Sequence, residues 1–238
     1  MNDAVVNVAV IDSGVNPWHS HVGGVAGGAA FAVEPGGCVV ESADFRDEIG
    51  HGTAIAGIIR ERAPRARIHA LKIFQKELNA PVAALTAALE WALSEKIGVI
   101  HLSLGTEREE DRESLDELCR RAWEANAVVV ASARSPDDIV FPASFETVIG
   151  VYWNRECDED SVVWHPGAPV EFGACGWPRP LPGLPRDGNF HGHSFAAAYL
   201  TARATKLLEG NPNGGIRWIK EVIRSSSSAR GGNQRGDV

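Results

Sequence analysis

The chain of 238 residues is 44% hydrophobic and 23% charged, which suits one sizeable domain with a real apolar core. Its net charge of −8, from 23 basic and 31 acidic residues, argues against nucleic acid or an anionic membrane as the main partner. No apolar run approaches the length of a transmembrane helix, and the N-terminus has no secretory signal pattern. These features predict a cytoplasmic protein.

Four cysteines are spread irregularly through the sequence, and none belongs to a Cys-x-x-Cys unit. This spacing disfavours a zinc site and predicts free thiols in a reducing compartment. A cysteine nucleophile has no supporting pattern around any of the four. They are Cys38, Cys119, Cys157 and Cys175.

Short β-branched runs alternate with segments of helical period over the first 150 residues. The first predicted strand, 5–11, leads into Asp12, at the end where open α/β sheets place their chemistry. A turn or capping role is the alternative for Asp12. Further strands are predicted near 66–73, 99–104, 128–131 and 148–151. Helices are predicted to begin at His51, near Pro81 and near Leu115, and Asn79 is a possible cap of the second. This order predicts an α/β fold with a mainly parallel sheet.

The second part of the chain is irregular after Val151, with one possible strand near 170–173. A helix follows from about Ser194, and a last one spans about 216–224. The serine-rich segment 225–232 has low complexity, and we expect it to be disordered. The predicted organisation is a single domain, 1–228, followed by a disordered tail, 229–238.

Three residue types needed for nucleophilic acyl transfer stand at comparable places. Asp12 ends a strand, whereas His51 and Ser194 begin helices. A serine nucleophile needs a base, and the imidazole needs a carboxylate that fixes its tautomer. The alternative for Ser194 is a helix cap, since serine is a common capping residue.

Three segments resemble, in family order, the aspartate, histidine and serine motifs of the subtilisin-like serine proteases (subtilases). They are Val8-Ala9-Val10-Ile11-Asp12-Ser13-Gly14-Val15, His51-Gly52-Thr53-Ala54-Ile55-Ala56-Gly57 and Gly192-His193-Ser194-Phe195-Ala196-Ala197-Ala198. The resemblance extends over about 5–224. It implies a three-layer subtilisin-like fold and a catalytic triad of Asp12, His51 and Ser194.

The resemblance breaks down where the family has an asparagine that donates to the oxyanion. The matching segment is Ala133-Arg134-Ser135, which has no carboxamide. The main-chain N–H of Ser194 is expected to remain as one donor. The Ser135 hydroxyl is the candidate for the other, while a solvent-facing loop position is the alternative for Ser135 and the preferred one for Arg134.

The resemblance also implies a groove in which a substrate peptide adds as a strand. Its walls are expected to include Ser103, Leu104, Gly105 and Ala133. The acidic stretch 107–113 lies beside this groove and either favours basic substrate residues or forms a solvated face.

No metal or other cofactor is expected. Many family members interrupt the helix after the catalytic histidine with a calcium-binding loop, but here 58–64 runs straight on. His191 and His193 alternate without a third ligand, which is a weak metal pattern. Another departure is Ala54, where the family has a second histidine. We also expect a catalytic domain without a pro-domain ahead of Val5.

The first hypothesis is a cytoplasmic serine endopeptidase that processes selected peptides, for example by leader removal, with a non-standard oxyanion hole. The alternative is a pseudoprotease that binds a peptide or partner in the same groove. Macrocyclisation by the same acyl-enzyme would require a water-excluding lid, and no large insertion offers one. A peptide or protein is the expected partner, and the oligomeric state is open.

Overall fold

The computed structural model describes residues 4–229, which form a ten-stranded sheet and five α-helices. The strands are Asn7–Asp12 (β1), Gly27–Val33 (β2), Val39–Ser42 (β3), Arg67–Lys72 (β4), Val99–Leu102 (β5), Val128–Ser132 (β6), Val148–Trp153 (β7), Val162–Trp164 (β8), Phe172–Ala174 (β9) and Ser228–Ala229 (β10). The helices are His51–Arg62 (α1), Val82–Ser94 (α2), Glu109–Glu124 (α3), His193–Gly210 (α4) and Ile216–Ser225 (α5).

The central strands are buried on both faces, as their nearly continuous apolar sequences predict. In β1, Val8 and Val10 belong to an apolar core shared with α1, α4 and α5. Ala9 and Ile11 belong to a second core shared with α2 and α3. This alternation follows from the two-residue period of a strand. The predicted three-layer α/β fold is therefore confirmed.

The sheet order, β10-β8-β9-β7-β6-β5-β1-β4-β2-β3, places β1 between β4 and β5. Both neighbours run parallel to β1, whereas β2–β3 and β8–β9 are antiparallel pairs. The chain thus fills the sheet first on one side of β1, with β2, β3 and β4, and then continues on the other side with β5. Such a switch point opens a crevice at the carboxyl ends of the strands, where Asp12 lies.

Several local predictions differ from the structure. The acidic stretch is partly helical, because α3 already begins at Glu109, and acidic residues in a first turn interact favourably with the helix dipole. Asn79 does not cap α2, whose N-cap position is Pro81. The expected disorder fails at its start, since Ser225 ends α5 and β10 pairs with β8. The rest of the predicted tail, 230–238, lies outside the described residues.

Two further predictions concern compartment and thiol chemistry. Among residues 4–229, every helix is too short or too polar to cross a bilayer. The four cysteines are free. Burial raises the pKa of Cys119 to about 12, so that its thiol is a poor nucleophile at neutral pH.

Candidate active site

The end of β1 and the start of α1 bring Asp12 and His51 into direct contact. Nδ1 of His51 lies 2.9 Å from each carboxylate oxygen of Asp12, and both side chains are buried. The Asp12 Oδ1 atom also accepts the main-chain N–H of Ser13 at 2.6 Å. An ionised carboxylate at this place holds the proton of His51 on Nδ1 and leaves Nε2 free to accept another.

The contact depends on close packing of α1 against the loop after β1. A Cβ on Gly52 would lie 2.2 Å from the oxygen of Gly14 and 3.0 Å from Asp12 Oδ1, so only glycine fits there. The first N–H groups of α1 also have acceptors from outside the helix. Gly52 donates to Ser13 Oγ, and Thr53 donates to Asp47 Oδ2, both at 2.9 Å.

The electrostatic effects within this pair favour its charged forms. Burial opposes ionisation of Asp12, but His51 and the hydrogen bond from the main-chain N–H of Ser13 lower the pKa of this carboxyl overall. Burial likewise opposes protonation of His51, but the Asp12 carboxylate outweighs it, and the pKa of His51 is raised above 6.5. Asp12 is therefore ionised at neutral pH, and His51 titrates at the basic side of its ordinary range.

Ser194 is the second residue of α4, not its cap. The N-cap position is Gly192, and no side chain caps this helix. Ser194 Oγ donates to the main-chain oxygen of Ser103 at 3.2 Å. No hydrogen bond joins Ser194 to His51 in the described chain, although both line one cleft. A rotamer change is the step that would redirect the hydroxyl, and such contacts commonly tighten only on substrate binding.

The cleft between these residues has a volume of about 630 Å³. The four residues predicted to form a substrate groove, Ser103, Leu104, Gly105 and Ala133, all line it. Glu107 lies at the same cleft, where its carboxylate pairs with the Arg134 guanidinium. This pairing neutralises the charge of Glu107, the residue of the acidic stretch that lines the cleft.

The two side chains after β6 considered as oxyanion donors make other contacts. The Ser135 hydroxyl donates to Asp138 Oδ1 at 3.3 Å, and Ser135 does not line the cleft. The Arg134 guanidinium is 66% exposed and pairs with Glu107 and Asp138. The main-chain N–H of Ser194, at the start of α4, has no acceptor among the described residues.

Three groups of residues at this site were missed in the sequence. Phe195 and Phe190 pack edge-on against the His51 ring, with centroids 5.0 and 5.7 Å away. His101, fully buried on β5, bonds to Ser103 Oγ at 3.0 Å. Asp47 supports the start of α1. Only Asp47 had a local signal, as an acidic residue shortly before a predicted helix.

The structure also bears on the metal prediction. Within residues 4–229, no group of three or more His, Cys, Asp or Glu side chains is placed to hold a metal ion. Helix α1 runs without a break from His51 to Arg62. The absence of a cofactor stays a prediction.

The model of the subtilase family matches residues 3–237, nearly the whole chain. The protein belongs to the subtilase family. The predicted resemblance is thereby confirmed.

Similar subtilases are known from bacteria. Subtilisin E of Bacillus subtilis is 26% identical over 95% of this chain and 61% of its own length. The subtilisin of Bacillus pumilus is 25% identical over 95% of this chain and 85% of its own length. The minor extracellular protease Epr of Bacillus subtilis is 27% identical, but this chain spans only 27% of it.

Solved structures agree on the fold. A cold-adapted subtilisin-like serine proteinase superposes with a TM-score of 0.72 at 21% identity, covering 92% of this chain and 81% of that one. A lanthipeptide protease superposes with a TM-score of 0.69 at 19% identity, covering 93% and 79%. Both confirm the subtilisin-like fold.

Proposed function

We propose that the protein is a serine endopeptidase with Asp12, His51 and Ser194 as its catalytic triad. The observation that carries the proposal is the buried Asp12–His51 pair beside a cleft that also holds Ser194 at a helix N-terminus. Membership of the subtilase family supports the same chemistry.

In this mechanism, Ser194 Oγ attacks the scissile carbonyl carbon, and its proton passes to Nε2 of His51. The carbonyl oxygen becomes an oxyanion while the Oγ–C bond forms. When the C–N bond breaks, His51 returns the proton to the leaving amine. Water then attacks the acyl-enzyme by the same route. Asp12 stabilises the imidazolium that forms at each transfer.

Labelling with a fluorophosphonate tests the proposal, because the activated serine forms an Oγ–P bond and fluoride leaves. We expect stoichiometric labelling of the wild type at Ser194. The Ser114→Ala variant, altered on the exposed face of α3, is expected to react like the wild type. The Ser194→Ala and His51→Ala variants are expected to show no labelling. A folded wild-type protein that stays unlabelled would contradict the proposal.

We further propose that the substrate is a peptide precursor cleaved at one site, as in leader removal. The fold relative described as a lanthipeptide protease makes precursor peptides the first substrates to test. Mass spectrometry of a precursor-peptide library should show one dominant cleavage, with casein left mostly intact. Digestion of casein at many sites would contradict selectivity. Four free thiols favour the reducing cytoplasm as the location.

A pseudoprotease is the second candidate, because Ser194 donates to Ser103 instead of His51 and the family asparagine is missing. The pseudoprotease hypothesis predicts that the wild type and Ser194→Ala bind peptide with equal affinity and that neither releases product. Single-turnover assays with equal enzyme and peptide would separate the two candidates, since a protease forms product in the first turnover.

A further inference from the structure

The oxyanion hole has one evident donor and lacks a second. The main-chain N–H of Ser194 is free at the start of α4, where the helix dipole also favours an anion. Ser135 and Arg134, on the opposite side, are bonded to Asp138 and Glu107. A tetrahedral intermediate usually needs two donors, and removal of one typically lowers kcat about 10²–10³-fold.

His193 is the side chain placed to fill this gap. It is the first residue of α4, adjacent to Ser194, and its half-buried ring lines the same cleft as His51. The main-chain N–H of Trp153, the last residue of β7, donates to Nδ1 of His193 at 3.1 Å. Because Nδ1 accepts this hydrogen bond, it carries no proton, and the ring proton of the neutral imidazole is on Nε2.

The Nε2–H of His193 has no acceptor of its own. None of the described residues forms a hydrogen bond with this atom. The Nε2 atom keeps some solvent-accessible surface, and His193 lines the cleft. A donor with a fixed tautomer, an open partner position and access to the cleft is preorganised for an incoming oxygen.

Charged side chains near His193 act on its titration. They are Arg155, which follows β7, and Asp138 and Arg134, both in the loop after β6. That loop is where the family asparagine would stand. Burial is the largest effect and lowers the pKa of His193, so that the ring stays neutral at pH 7.

We propose that the Nε2–H of His193 is the second oxyanion donor, acting together with the main-chain N–H of Ser194. The ring holds its proton throughout and donates a hydrogen bond to the former carbonyl oxygen. This bond strengthens as negative charge develops, which lowers the barrier without tightening ground-state binding. The inference rests on the proposed protease function, and it assigns this chain's own replacement for the missing asparagine.

Steady-state kinetics of His193→Ala on a cleaved peptide tests the inference. We expect kcat to fall about 10²–10³-fold, with KM changed less than about threefold. His193→Gln retains an N–H donor at similar reach and should recover at least about tenfold of the lost kcat. His165→Ala is the matched control. His165 is also half-buried, bonds to Tyr152 on β7 at 2.8 Å and has a pKa lowered by burial, but it lies outside the cleft.

A peptide boronate that forms a tetrahedral adduct with Ser194 gives an independent readout. Its affinity should fall in proportion to kcat/KM in the two His193 variants and stay unchanged in His165→Ala. A kcat for His193→Ala within about threefold of wild type would overturn the inference. Equal kcat values in the Ala and Gln variants would do the same. If the folded wild type is not labelled by fluorophosphonate, the proposed function itself fails; if it is labelled and His193→Ala is equally active, only this inference fails.

Discussion

Three buried or half-buried histidines in or near the cleft have different surroundings. His51 touches a carboxylate and has a raised pKa. His193 and His101 have no carboxylate in contact, and burial lowers the pKa of both, that of His101 to about 4. Surroundings that move pKa values apart in this way assign different roles to one residue type. Of these three, His51 is the one whose surroundings favour a ring proton near neutral pH.

The pH dependence of kcat/KM is predicted to follow His51. The base must be neutral to accept the Ser194 proton, so that activity rises with pH through the pKa of His51. Because this pKa is raised, the midpoint of the acid limb should lie above pH 6.5. The nearby Asp47 charge contributes to the raise, and Asp47→Asn should therefore move the limb to lower pH. A midpoint below 6.5 in the wild type, measured with a peptide substrate, would contradict this assignment.

At the scale of elements, the start of α1 depends on one side chain. Asp47 Oδ1 accepts hydrogen bonds from Ser13 Oγ and from the N–H groups of Ile49 and Gly50. Its Oδ2 accepts both the N–H and the hydroxyl of Thr53. The same carboxylate thus joins the helix start to the loop that follows Asp12.

Asp47→Ala is predicted to lower the free energy of unfolding by about 2 kcal/mol or more, because several donors would lose a charged acceptor. It should also lower kcat about tenfold through misplacement of His51. Asp44→Ala is the matched control, since Asp44 lies in the same loop and pairs with Arg46 at the surface. We expect that control to leave the free energy of unfolding close to the wild-type value. Denaturant unfolding and peptide kinetics measure both effects, and equal losses in the two variants would refute this role.

The elements that could be predicted from sequence are those that carry their own apolar pattern. The central strands β1, β5 and β6 are buried on both faces, and their apolar runs marked them directly. Among the strands missed are β3, which is mostly exposed, and β8, which has only three residues. Neither is long or apolar enough to show a period.

The candidate site likewise contains residues that could be predicted from the sequence and contacts that could not. Asp12, His51 and Ser194 stand at ends of predicted elements, and a parallel sheet brings such ends to one edge. The support for His51 by Asp47 and the tautomer of His193 were not predictable. Each depends on a contact between residues brought together only by folding, as with the Trp153 N–H that fixes the His193 ring.

At the scale of the whole molecule, His101 joins the sheet to the layer of α4. Its ring is fully buried on β5, with Nδ1 3.0 Å from Thr201 Oγ1 on α4. The Thr201 hydroxyl donates to Ala197 O and therefore accepts from Nδ1. Nε2 of the neutral ring is then the acceptor for the Ser103 hydroxyl. A second ring proton would turn Nε2 into a donor and remove the acceptor of the Ser103 hydroxyl.

Stability is therefore predicted to fall with acidity through His101. Its folded pKa of about 4 lies below the ordinary 6.5, so that the unfolded chain binds a proton that the folded chain rejects. The contribution of His101 to the free energy of unfolding is complete above pH 6.5 and declines as pH falls towards 4. It amounts to about 3 kcal/mol. His51 has the opposite effect, because a pKa raised by folding stabilises the folded chain at low pH.

The effects of the two histidines are separated by comparing wild type with His101→Gln in urea unfolding from pH 4.5 to 8. The slope of unfolding free energy against pH between 4.5 and 6.5, and not its absolute value, is the readout, because the substitution itself costs packing. A flatter slope in the variant is expected. Identical slopes would show that the buried His101 ring does not govern acid stability.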